Sequence, residues 1–247
     1  MEVHQHTHTS RKKWTHYFWE FFMLFLAVTL GFFMENQREH YIEKNRANKY
    51  LDGLLIDVSS NNQALDSLIT ENDILKKKCD TLIQWLLNDS ATIDRFSFAK
   101  KLVPANIRVF INRNENFEQM KSSGTLRYLD NTDLLQKILG YQHTAALAEW
   151  RSNENERKLY FERYVPAVER NLDMACMQLN MTSDKTSQFN LPPHVDVLRG
   201  EETKKFRNEI GNVLLIRTRT ITVSMRSYYQ LRDEGRRLVE EIKKEMQ

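Results

Sequence analysis

The sequence predicts an all-α protein in which an amino-terminal transmembrane helix continues into an elongated antiparallel bundle of about three long helices, with a small distal subdomain. The 247 residues include only seven Gly and four Pro, and 28% are charged, a composition that favours long helices. One apolar run lies near the amino terminus of a chain whose mean hydropathy is −0.60. Three long segments repeat apolar residues at spacings of three and four, the period of an amphipathic helix.

These patterns divide the chain into three parts. Residues 1–13 form a disordered, His-rich basic tail, residues 14–34 a transmembrane helix, and residues 35–247 an extramembrane helical-bundle domain. Within that domain we expect an irregular subdomain at 88–130 and a polar loop at 181–201.

The transmembrane prediction depends on length and flanking aromatic residues. Trp14 to Met34 is 21 residues, about 31 Å of helix, which spans the hydrocarbon core of a bilayer. Trp14, Tyr17 and Trp19 supply an interfacial aromatic belt. Because no small-x-small cleavage site follows, the segment is interpreted as an uncleaved signal anchor.

The orientation follows from the basic residues on the two sides of the span. Residues 11–13 (Arg-Lys-Lys) directly precede it and favour a cytoplasmic amino terminus. Basic residues between 38 and 49 favour the opposite orientation, but they are more widely spaced. We therefore expect the large domain to lie outside the cytoplasm.

One face of the span differs from the others, because its residues are small or ionisable or lie between such residues: Glu20, Leu24, Ala27, Gly31 and Glu35. Ala27 and Gly31 have the small-xxx-small spacing that lets two helix backbones approach closely. This face is predicted to contact another helix, with Glu20 hydrogen-bonded across the interface or to His16. Alternatively, Glu20 lies near the headgroups and is merely tolerated there.

Three long helices are predicted in the remaining chain. The first runs from the span to about Leu87. The second opens at Asp130 and runs to Met177, and Pro166 should kink it or mark a join between two helices. The third has one apolar stripe: Phe206, Ile210, Leu214, Ile221, Met225, Tyr228, Leu231, Leu238 and Ile242. Arg217 and Gly235 occupy two slots of that stripe. Arg217 either snorkels at the bundle edge or is a buried partner for an acid or an anionic ligand.

Candidate chemistry is sparse. His4, His6 and His8 alternate in the tail and are a possible weak site for a divalent metal. Cys79 and Cys176 are expected as buried thiols, with a disulfide as the alternative. The net charge of +3 does not indicate a nucleic-acid partner. Since no phosphate loop or nucleophile motif is present, we expect neither a cofactor nor an enzyme.

Two stretches, "YFWEFFMLFLAVTLGFFMENQREHYIEKNR" (Tyr17 to Arg46) and "FEQMKSSGTLRYLDNTDLLQKILGY" (Phe117 to Tyr141), resemble an uncharacterised family of small single-pass membrane proteins of Bacteroidota, a domain of unknown function. The resemblance implies a cell-envelope protein anchored in the inner membrane, with a periplasmic carboxy-terminal domain. It implies no active site.

The function expected from these features is that of an envelope scaffold or interaction module. It would self-associate, or bind another membrane protein, through the face that carries Ala27 and Gly31. One alternative is a periplasmic ligand-sensing bundle that uses Arg217. Another is an oligomeric proton or ion path that uses Glu20.

Overall fold

A computed structural model describes residues 14–88, 92–102, 108–172 and 196–246. Helices account for 88% of the described residues, and no strand occurs among them. The all-α prediction is confirmed at this level. The helical elements are α1 (Trp14–Leu87), α2 (Arg95–Lys101), α3 (Glu115–Ser122), a 3₁₀ turn (Thr125–Tyr128), α4 (Thr132–Lys158), a π-helical turn (Leu159–Tyr164), α5 (Val165–Asn171) and α6 (Glu201–Glu245).

Helix α1 has 74 residues and ends at Leu87, as predicted. Its amino-terminal part is, by length and composition, apolar enough to serve as a membrane anchor or a signal sequence. The first buried residue of α1 is Ala47, so about 33 residues precede the part of the helix that packs against the rest of the chain. From Leu51 to Leu86 the predicted apolar seam is largely buried.

Helix α6 runs antiparallel to both α1 and α4. Arg207 donates to the Asn88 carbonyl at 2.8 Å, whereas Arg236, almost thirty residues later, reaches Asp66 at 2.9 Å. Along α4 the order is likewise reversed, since Asn131 at its start bonds Glu245 at 2.7 Å. Helices α1 and α4 therefore pack against α6 in the same direction.

Two hydrophobic clusters follow one another along this body. The first joins the middle of α1 to α3, α4 and the carboxyl half of α6, and it includes Leu54, Ile138 and Leu231. The second joins the end of α1 to α2, α5 and the amino half of α6, and it includes Phe98 and Phe206. The stripe predicted on α6 supplies both clusters, with only Met225 half-buried among its apolar residues.

The described residues of 88–130 lie at two places along the body, so the small distal subdomain expected there is not confirmed. Helix α2 lies at the far end of α1, where Asp94 and Val197 make an isolated antiparallel bridge. Helix α3 lies near the middle of α1, because Asn116 bonds Asp57 there. The described apolar residues of α2 belong to the second cluster, and those of α3 belong to the first.

The second long helix differs from the prediction at both ends. Asn131, not Asp130, is its N-cap and accepts from the Leu134 N–H at 3.0 Å. Pro166 lies at the start of α5, directly after the π-helical turn that joins α4 to α5, in keeping with the expected join between two helices. The wider turn relieves the clash of the proline ring with the carbonyl four residues earlier. The helix then ends at Asn171 instead of Met177, since Leu172 is extended.

Candidate functional site

The face predicted to contact another helix lies on the exposed part of α1. Glu20, Ala27 and Gly31 are all exposed. A Cβ built at Gly31 would meet no described atom within 4 Å. The bulky residues around this face are exposed as well, and Phe32 reaches 75%. Within the described ranges, this surface is therefore open along its length to lipid or to a second helix.

Glu35 interacts within α1. The Arg38 guanidinium donates to its carboxylate, with Nε–Oε2 at 3.0 Å. This hydrogen bond from Arg38 lowers the pKa of Glu35. Glu35, at the carboxyl end of the predicted face, is thus paired with a basic residue one turn further along the same helix. The residues that remain distinctive of the predicted face are Glu20, Ala27 and Gly31.

Arg217 is in the core of the body. Its side chain is 2% exposed, that of Glu156 is 7% exposed, and the Arg217 Nη1 lies 3.7 Å from the Glu156 Oε2. The guanidinium also lies 5.9 Å from the ring centroid of Tyr164. Of the two interpretations of Arg217, snorkelling is therefore wrong, and a buried acid is the partner. Burial raises the pKa of Glu156, while the positive charge of Arg217 opposes that rise.

Cys79 lies beside this ion pair. It is fully buried, and burial raises the pKa of its thiol despite the opposing charge of Arg217. A buried, protonated thiol is a poor nucleophile. The expectation of a buried thiol is confirmed for Cys79, and Cys176 lies outside the described residues.

A second buried polar cluster joins α1 to the segment around α3. Asp57, 4% exposed, accepts from the Asn116 backbone N–H at 2.8 Å and from its side-chain amide at 2.7 Å. One turn later Asn61 donates to the Asn112 side chain and accepts from the Arg113 N–H, each at 2.9 Å. The sequence analysis did not identify this pairing of the asparagines around α3 with α1. The available signal was Asp57 and Asn61, polar residues four apart beside the apolar seam.

The candidate metal ligands His4, His6 and His8 lie outside the described residues. Within the described ranges, no group of three His, Cys, Asp or Glu side chains could hold a metal ion. The buried polar contacts given above, those of Arg217, Asp57 and Asn61, each connect two helices or a helix and a connection.

The geometry defines a class: an all-helical chain with one exposed apolar helix at its amino end and buried polar cross-links between its long helices. No family model matches the chain, and no curated protein or solved structure matches it.

Proposed function

We propose that this protein is a non-enzymatic, single-pass membrane-anchored scaffold or interaction module. The observation that carries the proposal is the division of α1, in which residues 14–34 are apolar and exposed whereas the part from Ala47 onward packs against the body. Exposed apolar surface on this scale is unfavourable in water, and a bilayer or a partner helix would cover it.

An anchor accounts for α1 better than a removed signal sequence does. The helix continues without a break from the apolar segment into the buried seam. Cleavage behind the span would cut the helix that supports the body. We place the span in the inner membrane, with the amino terminus in the cytoplasm and the antiparallel bundle in the periplasm, in keeping with the family resemblance.

The partner is a second copy of the chain or another membrane protein, bound through Ala27 and Gly31. The absence of side-chain bulk at Gly31 permits close backbone contact along this face. A carboxylate at Glu20 is less costly in such an interface than toward lipid. A ligand-sensing role for Arg217 has less support, because Glu156 already opposes its charge inside the core.

The test is the mass of the purified protein in mild detergent, with a substitution on each face of the span. Gly31→Ile adds bulk to the proposed interface. Thr29→Ile adds bulk on the opposite face, about 180° away. We expect a defined oligomer for the native chain and for Thr29→Ile, and a monomer for Gly31→Ile. A native monomer, or equal masses for both variants, contradicts self-association through this face.

Orientation is tested by labelling a cysteine on the body. Glu202 is exposed near the start of α6, so Glu202→Cys, made with Cys176→Ser, presents an accessible thiol. Cys79 is buried and serves as the internal blank. We expect a membrane-impermeant maleimide to label the variant in cells whose outer membrane is permeabilised. Labelling only after lysis places the body in the cytoplasm.

A further inference from the structure

A groove lies between the last turns of α1 and helix α2, at the end of the body far from the span. Its volume is about 470 Å³, within the usual range for a small-molecule pocket. Its lining combines an apolar floor with a basic rim: Lys78, Thr81, Leu82, Trp85, Lys100, Lys101 and Leu102.

The charge of this groove is unbalanced. Among the described residues that line it, three are lysines and none is acidic. A groove of similar volume between α4 and α6, about 460 Å³, has basic and acidic residues in equal number. There Lys137 pairs with Glu241 at 2.9 Å. A third concave surface also has basic residues and no acidic ones, Arg151 and Arg226, but of these three surfaces only the groove at the far end combines three lysines with an exposed face of Trp85.

The helix macrodipole accounts for only part of this arrangement. Lys100 and Lys101 lie in the last turn of α2, where positive charge is favourable beside the terminal carbonyls. Lys78 is nine residues before the end of α1, beyond the reach of that effect. The macrodipole therefore accounts for Lys100 and Lys101 but not for Lys78.

The floor of the groove is rigid and aromatic. Trp85 stacks on Phe98 with centroids 5.6 Å apart, and Phe98 meets Phe206 edge-on at 5.1 Å. Phe98 is fully buried, so the Trp85 ring rests on the core. The Lys101 Nζ is 4.5 Å from the Trp85 centroid, which places a positive charge at the aromatic surface.

We propose that this groove binds a small soluble anion with an aromatic or aliphatic body, such as an aryl or alkyl carboxylate or phosphate. The body of the ligand would pack on Trp85, and its anionic group would accept hydrogen bonds from Lys78, Lys100 and Lys101. The site is independent of the span and adds a ligand to the proposed scaffold.

Distance argues for a soluble ligand rather than a lipid of the anchoring membrane. Trp85 is 51 residues beyond Met34 on the same continuous helix, which is about 77 Å at 1.5 Å per residue. A headgroup of that membrane does not reach so far, whereas a dissolved anion does.

The binding test uses the full chain in nanodiscs of zwitterionic lipid and three probes of one shape: 2-naphthoate, neutral 2-naphthamide and cationic 2-naphthylmethylammonium. Calorimetric titration, corrected with empty nanodiscs, gives each affinity. We expect 2-naphthoate to bind most tightly, and its affinity to fall as salt rises. Equal affinities for all three probes overturn the proposal.

Two variants and a matched control locate the site. Lys100→Ala with Lys101→Ala should weaken 2-naphthoate about tenfold or more, as the loss of charge-assisted hydrogen bonds implies. Lys243→Ala with Lys244→Ala removes two exposed lysines from the last turn of α6 and should leave the affinity unchanged. Thr81→Phe fills the groove from an exposed position, retains every charge and should abolish binding.

The outcomes separate this proposal from two others. Equal losses in both lysine pairs would mean that net charge alone attracts the probe, which overturns a built site. Capture of anionic vesicles by the native chain, with no affinity for free 2-naphthoate, would make the groove a membrane contact instead. Because the span is unchanged in these variants, their failure leaves the oligomer test of Gly31→Ile unaffected.

Discussion

Replacing Arg217 with Met removes one charge from the core while nearly keeping the volume of the side chain. Both members of the pair are buried, at 2% and 7% exposure, and their charged atoms are 3.7 Å apart. Arg217→Met leaves the Glu156 carboxylate in the core without that opposing charge. Losing one partner of a buried pair costs about 3–5 kcal/mol, mostly the desolvation of the charge that remains.

Two comparisons isolate that cost. Arg219 is exposed two residues further along α6, so Arg219→Met should change the free energy of unfolding by less than about 0.5 kcal/mol. Replacing both partners, Arg217→Met with Glu156→Leu, removes both desolvation penalties. The double variant should equal the native protein or exceed it by about 1–4 kcal/mol.

The loss of stability of Arg217→Met should depend on pH with a definite sign. Burial raises the pKa of Glu156 in the folded state above its ordinary value. A group with a raised folded pKa stabilises the fold fully below its unfolded pKa, and that contribution is lost as the pH rises through the folded pKa. Removing Arg217 raises the folded pKa further. The deficit of Arg217→Met should therefore shrink as the pH falls from 7.5 to 5, by at most about 1.4 kcal/mol per pH unit.

Urea unfolding in nonionic detergent, followed by helical circular dichroism at both pH values, measures these quantities. If Arg217→Met loses no more free energy of unfolding than Arg219→Met, the substitution leaves no uncompensated charge on Glu156 in the core. A deficit that stays constant between pH 7.5 and 5 would show that the loss comes from packing and not from Glu156.

Three further substitutions test close packing and the polar cluster. A Cβ at Gly235 would meet Asn62 and lie 3.1 Å from Tyr141, so Gly235→Ala should destabilise the fold by about 1–3 kcal/mol. Gly140 has open space around it. Gly140→Ala should therefore stabilise the fold by up to about 1 kcal/mol. Asp57→Ala leaves buried donors without their acceptor and should cost about 2–3 kcal/mol. The same urea titration measures all three, and equal effects for the two glycines would contradict the contact at Gly235.

The sequence predicted the long helices well because each carries a periodic apolar face over many turns. The stripe on α6 shows this best, since Arg217 and Gly235 were identified as the two unusual slots. Their partners could not be predicted. Glu156 is 61 residues from Arg217, and its position on α4 marks it only as one of many acidic residues on helices. Spacing along one helix does not show which residue of another helix it faces.

The connection at 88–130 could be predicted least. Its short elements, α2 and α3, are stabilised by contacts with α1 rather than by their own propensity, as expected for helices of seven and eight residues. The asparagines around α3 are a residue type that commonly caps helices, whereas Asn116 and Asn112 bind Asp57 and Asn61 on α1. A cap and a cross-link have the same sequence signature, and only the fold distinguishes them.

The stretch of α1 between Met34 and Ala47 connects the exposed apolar segment to the body with about a dozen residues, most of them exposed. A helix of that length is marginal in water by itself, because nucleation is costly. Here the stretch continues a helix at both of its ends, so its residues extend an existing helix and no new nucleation is required. The Glu35–Arg38 pair adds a small contribution to the stability of this stretch. The span and the body are consequently ends of one stiff rod. In the proposed oligomer, rotation of the apolar segment about its axis would be transmitted to the body, so the face of Ala27 and Gly31 would determine how the two bodies are oriented.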